Sequence, residues 1–122
     1  MLNEILQIKR FIDNHPLSRR HKFKSYSRFF LWQIGQFLFP YERVVSFVGG
    51  TRLSVKKGMA GATGNIYTGL HDFSDMGFLL HVLRKDDLFF DIGSNVGSYT
   101  ILASVYAKAK TLSFEPVPTT FA

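Results

Sequence analysis

The chain of 122 residues contains no cysteine. That excludes a disulfide scaffold and a Cys-ligated metal, and it suits a reducing compartment. Histidine is scarce. His15, His21, His71 and His81 form no H-x-x-x-H pair, and none sits beside a carboxylate cluster, so a metal centre is not expected. Long hydrophobic runs are also missing. The longest apolar patch, FFLWQIGQFLF at residues 29–39, holds two glutamines and a glycine and falls short of the roughly 20 residues that span a bilayer. The N-terminal MLNEILQIKRFIDNHPL is broken by charges every few residues, unlike a secretory leader. Repeats and low-complexity runs are absent. These features point to one small soluble cytoplasmic protein, touching a membrane at most at its surface.

What is present is uneven. Thirteen phenylalanines give a large apolar load for this length. The net charge of +6 divides into 11 Lys/Arg against 3 Asp/Glu over residues 1–60, and 4 against 6 over residues 61–122. The basic half suits either a solvated helical face or contact with an anionic surface. No RNA- or DNA-reading motif accompanies it, so nucleic acid is not the expected partner.

Periodicity predicts a helix over residues 2–14, stopped by Pro16, and a second over 18–39, capped by Ser18 and ended by Pro40. The second is basic in its first half (Arg19, Arg20, Lys22, Lys24, Arg28) and aromatic in its second. Phe29, Phe30, Trp32 and Phe37 are expected to brace the core. The alternative is that SRRHKFK and the aromatics after it lie on a membrane. VVSFV and TRLSV flank Gly49-Gly50, which reads as a hairpin with a two-residue turn. Four glycines in residues 58–70 read as a long loop. DFSDMGFLLHVLRK, residues 72–85, reads as a helix. Asp72 and Asp75 form its capping pair, Met76, Leu79, Leu80 and Leu83 its apolar stripe, and His81 a surface or half-buried histidine. This divides the chain into a helical extension (1–43), a hairpin with a glycine-rich loop (44–70) and a βαβ segment (71–122).

The segment DLFFDIGSNVGSYTILAS, Asp87 to Ser104, carries the chemistry. Residues 88–93 read as a parallel strand covered on both faces. A helix over 98–109 follows, with Ile101, Leu102, Val105 and Ala109 on one side, and then a second strand at 111–116. The corner between them reads Asp91, Ile92, Gly93, Ser94, Asn95, Val96, Gly97. Gly93 permits the turn, Asn95 tolerates a positive φ, and Gly97 allows close approach at the helix start. No lysine follows Gly97, so this is not a P-loop. Glu115 lies 24 residues after Asp91, at the end of the next strand, where an acid accepts ribose hydroxyls in nucleotide-binding α/β folds. Asp91 repels a diphosphate and attracts an ammonium group. The charge balance therefore favours S-adenosylmethionine over NAD, which remains an alternative.

FFDIGSNVGSYTILAS followed by LSFEPVPTTF resembles the first two motifs of the FkbM-type methyltransferases, a class I S-adenosylmethionine-dependent family. Phe-Glu-Pro-x-Pro-x-x-Phe, from Phe114 to Phe121, is the more specific part, and NIYTGLHDFSDMGFLLHVLRKDDLFFDIG is similar to the segment that precedes the first motif. The resemblance covers about residues 65–122. It implies the N-terminal part of a Rossmann-like fold, preceded here by the helical segment and the hairpin, and cut short after its second strand. It also implies cofactor binding by Asp91, Gly93, Ser94, Asn95, Gly97 and Glu115, and O-methylation of a hydroxyl on a sugar, glycan or natural product. No catalytic base is assigned, and the 122 residues alone are expected to be inactive. The reading of another class is a non-catalytic module that binds a membrane surface or a partner through the basic, aromatic helix.

Overall fold

A computed structural model describes residues 2–121 as a mixed helix-and-strand protein with two small sheets. Helix α1 spans Leu2–Asn14, α2 Pro16–Arg19 and α3 Lys22–Leu38. Strands β1 (Arg43–Ser46) and β2 (Arg52–Val55) follow, then α4 (Ala60–Thr68), α5 (Phe73–Val82) and β3 (Leu88–Ile92). Helix α6 (Ser98–Ile101) runs into a π turn at Leu102–Tyr106, and β4 (Lys110–Phe114) and α7 (Pro118–Phe121) close the chain. Among the described residues no helix is long and apolar enough to cross a membrane.

The first helix follows its periodicity, but only its C-terminal half is buried. Ile12 is fully covered, while Ile5 and Leu6 stay exposed. Pro16 opens α2 as well as ending α1. Its fixed φ suits the first helical position, and the His15 side chain caps the turn by accepting from the Leu17 N–H. The other ring nitrogen of His15 donates to the Leu70 carbonyl at 2.6 Å, which fixes the tautomer and ties the α1–α2 junction to the start of the α5 segment. Ser18 is not a cap. It is buried inside α2, and α3 starts four residues later, after His21.

Strands β1 and β2 pair antiparallel, with Arg43 opposite Val55 and Ser46 opposite Arg52. Their turn is longer than the expected two residues. A 3-10 turn covers Val48–Gly50, the Phe47 N–H donates to the Thr51 carbonyl at 2.8 Å, and Gly49 and Gly50 both take positive φ.

The segment expected as a glycine-rich loop is helix α4. Burial of Ala62 and Tyr67 outweighs the weak helix propensity of glycine. Gly64 is needed inside that helix because the His71 imidazole packs where its Cβ would be. Gly69, at φ 97°, ends it.

One core joins α1, α3, β2 and α4 through Ile12, Trp32, Leu53, Val55, Ala62 and Tyr67. Val96 and Ile101 pack against it, so the corner after β3 rests on the helical half of the protein. A second cluster, Leu70, Met76 and Leu102, joins α5 to the π turn. Met76, Leu79 and Leu80 of the expected α5 stripe pack there, while Leu83 lies past the helix end in extended conformation. Asp72 makes no side-chain capping bond, however, and Arg84 lies beyond the helix end, where its guanidinium donates to the carbonyls of His81 and Leu83.

Strands β3 and β4 are parallel, with Asp91 opposite Ser113 and Ile92 opposite Phe114. Coverage of both faces is not found. The face of Asp91 and Ser113 lies under α6, but Leu88, Phe90, Ile92, Leu112 and Phe114 share the other face and are all exposed, Ile92 at 81%. Phe90 and Phe114 stack there with ring centres 6.4 Å apart. The helix after the corner also departs from a plain α pattern. The Ala107 N–H reaches back five residues to Leu102, and the extra residue turns Val105 outward while Leu102 and Ala103 are buried.

Candidate functional site

The corner forms as its residue types dictate. Gly93, Asn95 and Gly97 take φ of 78°, 50° and 75°. Glycine reaches that region without strain, and asparagine is among the few other residues that do so readily. An added Cβ at Gly93 would meet nothing within 4 Å, and at Gly97 only Thr100 at 3.9 Å. Backbone conformation, not a close approach of protein atoms, is what demands glycine here, and one side of the turn is left open.

The end of β4 holds this turn in place. The Gly93 and Ser94 N–H groups donate to the Phe114 carbonyl at 2.7 and 3.1 Å. The Asn95 N–H donates to Glu115 Oε2 at 2.7 Å, and the Val117 N–H to Glu115 Oε1 at 2.8 Å. Glu115 therefore sits against the corner at the carboxyl end of the parallel pair, and both of its oxygens already take a backbone hydrogen bond. Each carboxylate oxygen has a further lone pair for another donor.

Asp91 lies beneath the turn and is buried. The Thr100 hydroxyl donates to Asp91 Oδ2 and is hydrogen-bonded to the Ser113 hydroxyl at 2.7 Å. This chain of polar groups joins β3, α6 and β4. The six residues predicted from the sequence thus fall into two layers: Gly93, Ser94, Asn95, Gly97 and Glu115 shape the turn, and Asp91 supports it from below.

Sequence reasoning missed the second wall. Asn65 of α4 is buried, donates to Ser98 Oγ at 3.0 Å and accepts from the His71 N–H at 2.6 Å. One amide therefore ties α4, the start of α5 and the first residue of α6 together. Between these elements and the corner lies a cavity of about 170 Å³, lined by Asn65, His71, Asp72, Ser94, Asn95 and Tyr99 among others. Burial, together with Asp72, Asp75 and Asp91, pushes the Tyr99 hydroxyl up to about 12, so it stays a neutral donor, and it points to Asp72 Oδ2 at 3.5 Å. Asn65 lay in the segment read as a loop, which concealed its role. His71 carried no spacing signal, and Asp72 was read only as half of a capping pair.

The cavity is smaller than the roughly 300–1,000 Å³ of a typical small-molecule site, so it holds one end of a ligand rather than a whole one. A larger groove of about 710 Å³ lies away from the corner, between α1, α3 and α4, lined by Phe29, Trp32, Gln36 and Tyr67. The Gln36 amide is buried there with neither polar atom paired. Among the described residues, no group of three or more His, Asp or Glu could hold a metal ion.

No family model, curated protein or solved structure matches the chain.

Proposed function

We propose that the chain carries the cofactor corner of a class I S-adenosylmethionine-dependent methyltransferase of the FkbM type, with β3, α6 and β4 as the first βαβ unit of a Rossmann-like sheet. One observation carries this reading. A turn with three positive φ angles, at Gly93, Asn95 and Gly97, is held at the carboxyl end of two parallel strands by an acid from the second strand's end.

The residues present suit such a cofactor. The open side of Gly93 leaves room for it. Glu115, already positioned by the N–H groups of Asn95 and Val117, has lone pairs left for ribose hydroxyls. Asp91 places a carboxylate under the turn, towards which an ammonium group is drawn. The cavity beside Asn65 and Tyr99 suits the amino-acid end. S-Adenosylmethionine, when bound, supplies a methyl group on a sulfonium, and the protein's part is chiefly to hold the reactants in line. The acceptor in this reading is a hydroxyl on a sugar, glycan or natural product.

Calorimetric titration of the folded chain with S-adenosylhomocysteine, and with NAD as comparator, tests it. Binding of the first and not the second is expected. Glu115→Gln keeps an acceptor for the Asn95 N–H but removes the charge, and Asp91→Asn does the same below the turn. Each should weaken binding by about 1.5–3 kcal/mol, the usual worth of a hydrogen bond to a charged group. Preference for NAD would overturn the cofactor assignment, and unchanged affinity in both variants would place the ligand elsewhere.

A further inference from the structure

Helix α3 has two apolar sides. At about 100° per residue, Ser25, Phe29, Trp32 and Gln36 fall on one stripe, which faces the core. Phe23, Phe30, Ile34 and Phe37 fall on the opposite stripe, bordered by Leu31 and Leu38. All six are exposed, Phe23 and Phe37 at 88% and 86%. Phe39 and Tyr41 extend the exposed apolar surface past the helix end. A surface helix ordinarily carries polar residues on that side. The expectation that the aromatic run braces the core is therefore half right: Trp32 and Phe29 do so, while Phe30 and Phe37 face away.

The charge around this stripe has one sign. No Asp or Glu occurs between Asp13 and Glu42, while Arg19, Arg20, Lys22, Lys24 and Arg28 gather at the start of the helix. All five are exposed, and Lys22 is paired with Asp13 at 3.1 Å. On the helix wheel Lys24 lies just past Leu31 at the edge of the outward stripe, while Arg28 falls nearer the core-facing stripe.

We propose that α3 lies flat on an anionic lipid bilayer, with the Phe23, Phe30, Ile34 and Phe37 stripe entering the headgroup boundary and the basic cluster meeting lipid phosphates. The helix is about 25 Å long, and an apolar stripe with a Lys/Arg cluster at one end suits an interfacial helix. A second copy of the chain is a poorer occupant. Each copy carries a net charge of +6, so two copies repel, whereas an anionic surface attracts. The proposal does not depend on the methyltransferase reading.

Co-sedimentation of the whole chain tests it, using vesicles of phosphatidylcholine alone and of phosphatidylcholine mixed with phosphatidylglycerol, at low and high salt. The chain should pellet with the mixed vesicles at low salt, and salt should weaken this. Phe30→Ser with Phe37→Ser should reduce binding by about tenfold or more, because two large apolar groups leave the interface. Both side chains are exposed, so the fold is retained, and circular dichroism checks this. Arg19→Gln with Arg20→Gln and Lys24→Gln should weaken the salt-sensitive part. Ile92→Ser, on the open sheet face, should leave binding unchanged and so controls for general stickiness. As the chain has no cysteine, Ile34→Cys can carry a single environment-sensitive dye, whose emission should shift to the blue on mixed vesicles. Failure to pellet with the mixed vesicles overturns the proposal. So does binding that survives the phenylalanine pair, or an unmoved dye. A dimer that the phenylalanine pair abolishes, with no vesicle binding, would also overturn it and assign the stripe to a second copy.

Discussion

The helical half of the protein and the β3–β4 pair are built in opposite ways. In the first, Ile12, Val55 and Ala62 are sealed between α1, α3, α4 and the hairpin. In the second, five large apolar side chains stand open on one sheet face. A pair of strands is marginal by itself, so the order of the corner comes from elsewhere: the polar chain Asp91, Thr100, Ser113 below it, Glu115 beside it, and Asn65, Val96 and Ile101 linking it to the helical core. The comparison teaches that the helical half supports the site as well as preceding it in sequence.

The largest expected effect sharpens that contrast. Ile12→Ala empties a sealed position and should cost about 2–5 kcal/mol in denaturant unfolding. Ile92→Ser, which loses even more apolar character but on the open face, should change stability by less than about 0.5 kcal/mol. Equal losses would mean that the sheet face is covered in solution. Asn65→Ala comes next. It leaves the buried Ser98 hydroxyl and the His71 N–H without their partner, at a cost of about 1–3 kcal/mol, and amide exchange should quicken at Ser98 and Tyr99 before it does in α1. Uniform acceleration would show that Asn65 supports the whole fold and not the corner.

The smallest effect concerns acid. Lys9, Lys22 and Tyr26 surround Asp13 and bring its carboxyl down to about 2 from 3.8. A lowered folded value means that stability from this group is present above about pH 4 and is lost as pH falls towards 2. The α1–α3 junction should therefore loosen slightly in that window, and Asp13→Asn should remove the dependence. The pairs are exposed, so high salt should reduce the effect.

Much of this architecture is written locally. Leu2 to Asn14, the break at Pro40, the hairpin around Gly49-Gly50 though not its turn length, the parallel pair and the positive-φ corner follow from periodicity and from the conformational range of single residues. What could not be read depends on contacts distant in sequence. Gly64 looks like a loop residue until the His71 ring is seen against it. Val105 belongs to the apolar stripe unless one π turn rotates it away. Strand β3 reads as buried on both faces because an apolar run records what a strand tolerates, not what covers it. At the site, the glycines were legible because a positive φ is a demand on a single residue, and Glu115 because it ends a recognisable strand. Asn65 was not, because its partners lie six and 33 residues away.

The central claim is that the corner, supported from the helical half, is the ligand site. Its most direct test is amide chemical-shift mapping of the whole chain titrated with S-adenosylhomocysteine. The account predicts saturable shifts centred on Gly93, Ser94, Asn95 and Gly97, extending to the Asn65 side chain. Shifts centred instead on Trp32, Gln36 and Tyr67, or none at the corner, would contradict it.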